Sequence, residues 1–336
     1  MNSLITVRDF IRWGASRFGE AGLAFGHGTD NALDESAALV VYALHLGANL
    51  PEDYLDAALT ESERKEVTRL IELRIATRKP AAYLTHEAWF AGLTFYVDER
   101  VLVPRSPIAE LITGRFAPWV RPDRAGAILD LCTGSGCIAI ACAHEFPDAH
   151  VLATDISRDA LSVARENIDR HGLGQRVQLL ESNLFEGIDN RRFDLIVSNP
   201  PYVPRMEMQQ LPDEFRHEPV LGLSAGEDGL DVVVRLLKDA SSHLTDEGIL
   251  VVEVGCSQQA LIDRYPAVPF LWLEFEHGGE GVFLLEQAQL REHQRDFDRV
   301  ATQRVGPPDT GAKHIDHERE GNLNPGVRGT GGSGDL

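Results

Sequence analysis

The chain has 336 residues, 43% apolar and 25% charged, a composition ordinary for a globular protein with room for one large and one smaller domain. A net charge of −20 lacks the basic footprint that tight nucleic-acid binding needs, so no direct nucleic-acid contact is expected, and an acidic surface instead attracts a basic partner. No apolar run of about 18 residues offers a membrane span, and Arg8 and Asp9 interrupt the N-terminal apolar stretch where a signal peptide needs continuity, so a cytoplasmic protein is expected.

Residues 1–85 read as a small helical domain. Residues 34–46 carry a long apolar stripe, with Asp30 or Asn31 placed to cap it. Thr60 with Glu63 three residues later matches a capping box, and the helix it opens runs to about Arg78 before Pro80 stops it. Residues 86–104 turn aromatic and β-branched around Gly92 and Asp98, which predicts a hairpin linker. Pro104 to Pro107 then break the chain before a helix over 108–116.

From about residue 126 strands and helices alternate. Strands are predicted at 128–131, 151–155, 177–181, 193–198 and 248–254, with helices at 136–144, 157–171 and 230–244. Residues 271–275 and 281–286 lie close enough in sequence to pair antiparallel. Residues 105–290 therefore read as an α/β domain with a mostly parallel sheet covered on both faces. From 291 to 336 the apolar periodicity stops, and a segment rich in Gly, Pro, Asp, Arg and Asn is expected to be a disordered tail.

Four cysteines occur, at 132, 137, 142 and 256. Five-residue spacing on a helix rotates successive thiols by roughly 140°, so they do not converge on a metal. Small buried thiols in a reducing compartment are expected, and no metal site.

Two segments carry chemistry. Asp130, Cys132, Thr133, Gly134, Ser135 and Gly136 follow the first strand of the alternating region and open a helix. The glycines let the backbone turn tightly and approach a ligand. Asp155 ends the second strand, 19 residues beyond Gly136, where an acidic side chain accepts both hydroxyls of a ribose. Gly134, Gly136 and Ala139 also fit a dinucleotide fingerprint, so this loop does not choose between NAD and S-adenosylmethionine.

Asn199-Pro200-Pro201-Tyr202 makes the choice. It ends the fourth strand, beside the point where strand order should reverse. An amide or exocyclic amine nitrogen is a poor nucleophile because its lone pair is delocalised, so it must be held. The Asn199 side-chain oxygen and the Pro200 carbonyl can each accept one N–H of a substrate NH₂ group. The prolines stiffen the loop through their fixed φ, and Tyr202 offers a flat wall. Positioning of this kind contributes roughly 7 kcal/mol or more to lowering a barrier.

That tetrapeptide after the fourth strand resembles the amino-methyltransferases, which act on DNA adenine, rRNA guanine or protein glutamine. The helical N-terminal region, the hairpin and the stretch from His217 to Gly229, a loop or lid beside Tyr202, resemble the protein-glutamine branch, which modifies release factors and one ribosomal protein. Release-factor enzymes typically carry Pro-Arg-Pro-x-Thr-Glu after the hairpin; here Pro104-Arg105-Ser106-Pro107 and Glu110 stand instead. With Phe25 to Asn31 and Ala88-Trp89-Phe90, this is similar to the group acting on a glutamine of the third large-subunit ribosomal protein. The resemblance covers about residues 5–290.

It implies a seven-stranded, mostly parallel, Rossmann-like class I methyltransferase sheet, with residues 1–85 recognising substrate. It implies S-adenosylmethionine as cofactor, held by Asp130, the loop from Cys132 to Gly136, Asp155, Asn183, Leu184 and Asn199. It implies Asn199, Pro200 and Tyr202 as catalytic, and Asn199, Pro200, Pro201 and Tyr202 as the substrate amide site. Cys132 stands where release-factor enzymes usually have glycine, and Asn183 where many relatives have Asp. A release-factor glutamine methyltransferase, a nucleic-acid amino-methyltransferase and a non-catalytic binding factor on the same scaffold remain the other readings.

Overall fold

The computed structural model describes residues 4–47 and 50–303. Its first helix, α1 (Val7–Glu20), opens on a capping box in which the Thr6 hydroxyl accepts from the Asp9 N–H and the Asp9 carboxylate accepts from the Thr6 N–H. Of the two cap candidates for α2 (Ala32–Ala43), Asn31 does the work, accepting from Leu33 and Asp34. The expected Thr60–Glu63 box opens α3 (Glu61–Thr77), which ends on left-handed Arg78 just before Pro80. A short α4 (Ala81–Thr85) follows. Phe10, Phe18, Leu39, Val40, Leu70 and Ile71 form the core among the first three helices. A Cβ on Gly14 would lie 2.2 Å from the Ser36 hydroxyl, so glycine lets α1 and α2 approach closely.

β1 (Ala88–Phe90) and β2 (Leu93–Phe95) make the expected antiparallel hairpin about Gly92. The part expected to continue it at 100–103 is not a strand. The Asp98 carboxylate accepts from the Arg100 N–H at 3.1 Å and from its guanidinium, which turns the chain. Val101 and Val103 then bury against Ala160 and Val163. α5 (Ile108–Thr113) leads into the sheet domain.

That domain alternates β3 (Ala127–Leu131), α6 (Cys137–Glu145), β4 (His150–Asp155), α7 (Arg158–Arg170), β5 (Val177–Glu181), β6 (Phe193–Ser198), α8 (Arg205–Met208), α9 (Asp231–Ala240), β7 (Leu244–Glu253), α10 (Gln258–Arg264), β8 (Leu271–Trp272), β9 (Val282–Glu286), α11 (Gln287–Glu292) and α12 (Gln294–Gln303). One seven-stranded sheet runs β5-β4-β3-β6-β7-β9-β8. The first five are parallel neighbours; β9 is antiparallel to both β7 and β8. Alternate residues of each strand enter two cores. Ile128, Val151, Leu195 and Val251 pack with α5 and α6 on one face. Leu129, Leu152, Ile196 and Leu250 pack with α9 and the C-terminal helices on the other. This is the class I methyltransferase arrangement expected. Among the described residues no helix is long and apolar enough to cross a membrane.

Two expectations need correction. Ordered chain does not stop at 290: α11 and α12 continue to Gln303, with Leu290, Phe297 and Val300 buried in the second core. Few apolar residues among many charges hid that stripe. The remainder of the expected tail, 304–336, lies outside the described residues. Cys137 and Cys142 are buried, but Cys256 is exposed, in the turn just past β7.

Candidate active site

Register sets the reactive loops at one level. Leu131 of β3 pairs with Thr154 of β4 and Ser198 of β6, and Ser198 pairs with Val252 of β7. Cys132, Asp155, Asn199 and Glu253 are therefore the next residues on four neighbouring parallel strands. They stand at the carboxyl edge, around the switch point between β3 and β6, where open sheets bind ligands. The Ser198 hydroxyl donates to the Leu131 carbonyl at 2.8 Å and ties the two strand ends together.

The loop between β3 and α6 is rigid and partly open. Cys132, Gly134 and Gly136 have φ of 60°, 55° and 81°. At Cys132 that left-handed backbone is one that glycine adopts at least cost. A Cβ on Gly136 would crowd Ala164 at 3.2 Å, whereas one on Gly134 would meet nothing within 4 Å, so Gly134 faces open space. Ser135 is fixed through its carbonyl, which accepts from Asn167 at 2.9 Å.

Asp155 ties the loop to the neighbouring strand. One of its carboxylate oxygens accepts the Gly134 N–H and the other the Ser157 N–H, both at 2.9 Å. Burial raises its carboxyl above the usual range even though these donors pull it down. Each oxygen keeps a lone pair, which is what two ribose hydroxyls need. Ile156, exposed and immediately beyond Asp155, adds an apolar surface on which a flat base can rest; sequence reading passed over it. Asn183 is held by donation to Glu186 at 2.9 Å, and Leu184 is left-handed with φ 54°.

Asp130 is fully buried at the base of this loop. Its Oδ2 accepts from the Thr133 hydroxyl and from the Ala139 N–H at 3.1 Å. Its Oδ1 has no hydrogen-bond partner among the described residues. Burial, the largest influence, pushes the carboxyl up to about 7. An orphaned carboxylate oxygen suits a cationic donor and repels a pyrophosphate, which a dinucleotide would bring here.

On the substrate side Asn199 is half-buried, between Ser198 and the two prolines. Tyr202 is gripped on three sides. Its hydroxyl donates to Glu253 Oε1 at 2.9 Å, its carbonyl accepts from Ser257 Oγ at 2.8 Å, and its ring lies against Gly255. Glu253, also missed by sequence reading, accepts a second hydroxyl from Ser106. A Cβ on Gly255 would sit 2.6 Å from the Tyr202 ring. Gly255→Ala is therefore expected to displace that ring and lower kcat by about tenfold to a hundredfold, the cost of ångström-scale misplacement. Steady-state kinetics checks it; a wild-type rate would mean that the ring has slack.

The chain beyond Tyr202 folds back, with Val203 paired to Leu223 and Ala225, and is pinned by two buried acids. Glu218 receives the Arg105 guanidinium as a two-pronged fork and the Val103 N–H at 3.1 Å, with His27 Nε2 at 3.6 Å from it. Burial alone would raise the Glu218 carboxyl; the contacts of His27 and Arg105 bring it down to about 2 instead. At 3.6 Å the His27 contact is too long for a hydrogen bond, so the Arg105 fork carries most of that effect. Glu214 accepts from Arg78 and from the Ala24 N–H, beside the buried Arg74, which also pairs with Glu35. His27, Arg105 and Glu218, from three separate sequence segments, thus meet in one cluster.

Residues 115–216 match the family model of the methyltransferase small domain. The chain is 52% identical over 300 residues to the ribosomal protein uL3 glutamine methyltransferase of Xylella fastidiosa, covering 89% of this chain and 95% of that one. It is 51% identical over 304 residues to the enzyme of the same name from Xanthomonas campestris, covering 90% of this chain and 98% of that one.

Proposed function

The chain belongs to the ribosomal protein uL3 glutamine methyltransferases, and from that membership we propose that it transfers a methyl group from S-adenosylmethionine to the side-chain amide nitrogen of a glutamine in ribosomal protein uL3. Bound S-adenosylmethionine supplies a methyl group on a positively charged sulfur. Asp155 would hold the ribose hydroxyls, and Ile156, Asn183 and Leu184 would take the adenine. The loop from Cys132 to Gly136 would admit the amino-acid portion, and the partnerless Asp130 oxygen beneath it would favour the positive charge of its ammonium group.

Asn199 and the Pro200 carbonyl accept the two N–H groups of the glutamine amide. The lone pair is then directed at the methyl group, and the Tyr202 ring bounds the amide plane. As nitrogen bonds to carbon the carbon–sulfur bond breaks, leaving S-adenosylhomocysteine. The alkylated amide nitrogen is strongly acidic and gives its proton to water, so no general base is required. The observation that carries this reading is the register match of Leu131, Thr154 and Ser198, which starts the cofactor loop, the ribose anchor and the amide clamp at the same height.

The test is incubation with methyl-labelled S-adenosylmethionine and purified uL3 or release factors, followed by peptide mass spectrometry. Label on one glutamine of uL3 is the expected result. Label only on a release factor, or on a lysine or arginine, overturns the assignment.

A further inference from the structure

Ser106 is where this chain departs from the Pro-Arg-Pro pattern of release-factor enzymes, and methyl transfer as described makes no use of it. Its hydroxyl donates to Glu253 Oε2 and accepts from the Ile108 N–H at 3.2 Å. Glu253 Oε1 takes the Tyr202 hydroxyl at 2.9 Å. Ser106 and Glu253 are both buried, and a buried carboxylate is costly unless its lone pairs are met. Burial, the largest influence, holds the Glu253 carboxyl above its usual range, while the two hydroxyls and the nearby Arg105, locked on Glu218, pull it back down.

We propose that Ser106 and Glu253 are positioning residues that set the Tyr202 phenol at the substrate amide, so that the branch-marking serine acts on the reacting site through one buried carboxylate. The proposal rests on Tyr202 bounding the glutamine amide. Because both Glu253 oxygens are engaged, the phenol hydrogen is committed to Glu253. With both amide N–H groups met by Asn199 and the Pro200 carbonyl, the part of Tyr202 is the placement of its ring against the amide plane, and the bond to Glu253 sets that placement. Ser106 fixes which way the carboxylate faces, and the carboxylate fixes the ring.

The experiment is a double-mutant cycle on full-length protein with the methyl acceptor. Ser106→Ala is expected to lower kcat about tenfold, the scale of one lost hydrogen bond to a charged group, while KM for the protein substrate stays within about twofold. Glu253→Gln should cost at least as much, since an amide NH₂ accepts nothing from the second hydroxyl. The double variant should be no slower than Glu253→Gln alone, because Ser106 acts only through Glu253. Ser106→Thr, which keeps the hydroxyl, should restore the rate; mere capping of α5 by Ser106 would instead make the Ser106 and Glu253 losses multiply in the double variant. Multiplicative losses in the double variant, or wild-type kcat in Ser106→Ala, overturn the proposal. Asn199→Ala measured alongside separates the premises: if it too is fully active, the assigned amide site fails, and if it alone is inactive, only the relay fails.

Discussion

Asn199→Ala is expected to lower kcat by about 10²–10³-fold, the scale of removing one preorganised hydrogen-bonding group from a reacting site. The position explains why the loss should be large and local. Asn199 follows Ser198, whose hydroxyl holds the end of β6 to β3, and precedes two prolines that fix the backbone. Alanine therefore removes the amide oxygen and leaves the Pro200 carbonyl where it was. A glutamine NH₂ held by one acceptor is free to rotate about that contact, and its lone pair spends less time in line with the methyl group. Cofactor binding should persist, weakened far less than turnover, because Asp130, Asp155 and the glycine loop supply the other contacts and do not depend on that oxygen. Titration calorimetry with S-adenosylmethionine and single-turnover transfer to uL3 measure the two separately. Near-wild-type turnover in this variant would remove Asn199 from the mechanism.

What could be read from sequence divides along a physical line. Features whose signal is local were legible. The Thr60–Glu63 box spans three residues, the buried strands are short apolar runs, and Gly134 and Gly136 are spelled out at the turn they make. Asp155 and Asn199 could be placed because each ends such a run. Partnerships between distant residues carried no local mark. Ser106 and Glu253 are 147 positions apart and Arg105 and Glu218 are 113, so neither pair shows in any window of sequence. Arg105 and Glu218 were recognisable as branch markers, but only the fold explains them, as the two halves of one buried fork. Helix α12 was missed for a different reason: its buried side begins and ends with Phe297 and Val300, too sparse a stripe to stand out from charge.

That fork gives the largest expected effect on stability. Glu218→Ala is expected to destabilise the protein by about 3 kcal/mol, the low end of the cost of breaking a buried ion pair. The low end applies because the Arg105 side chain is 23% exposed and water can partly reach it, although its partner carboxylate is fully buried. The Val103 N–H loses its acceptor as well. In a chain of this size the melting temperature should fall by roughly 4–6 °C. The wild-type protein should show the same pair in its acid titration. Because the folded carboxyl lies near 2 and its ordinary value is 4.5, its contribution is complete above pH 4.5 and drains away as pH falls toward 2. Glu218→Ala should flatten the stability curve in that window and leave its slope above it unchanged. Pairing it with Arg105→Met should recover part of the loss, since an apolar side chain leaves no stranded charge. A Glu218→Ala protein that melts within about 2 °C of wild type would mean the loop after Tyr202 is held by Glu214 and its arginines alone.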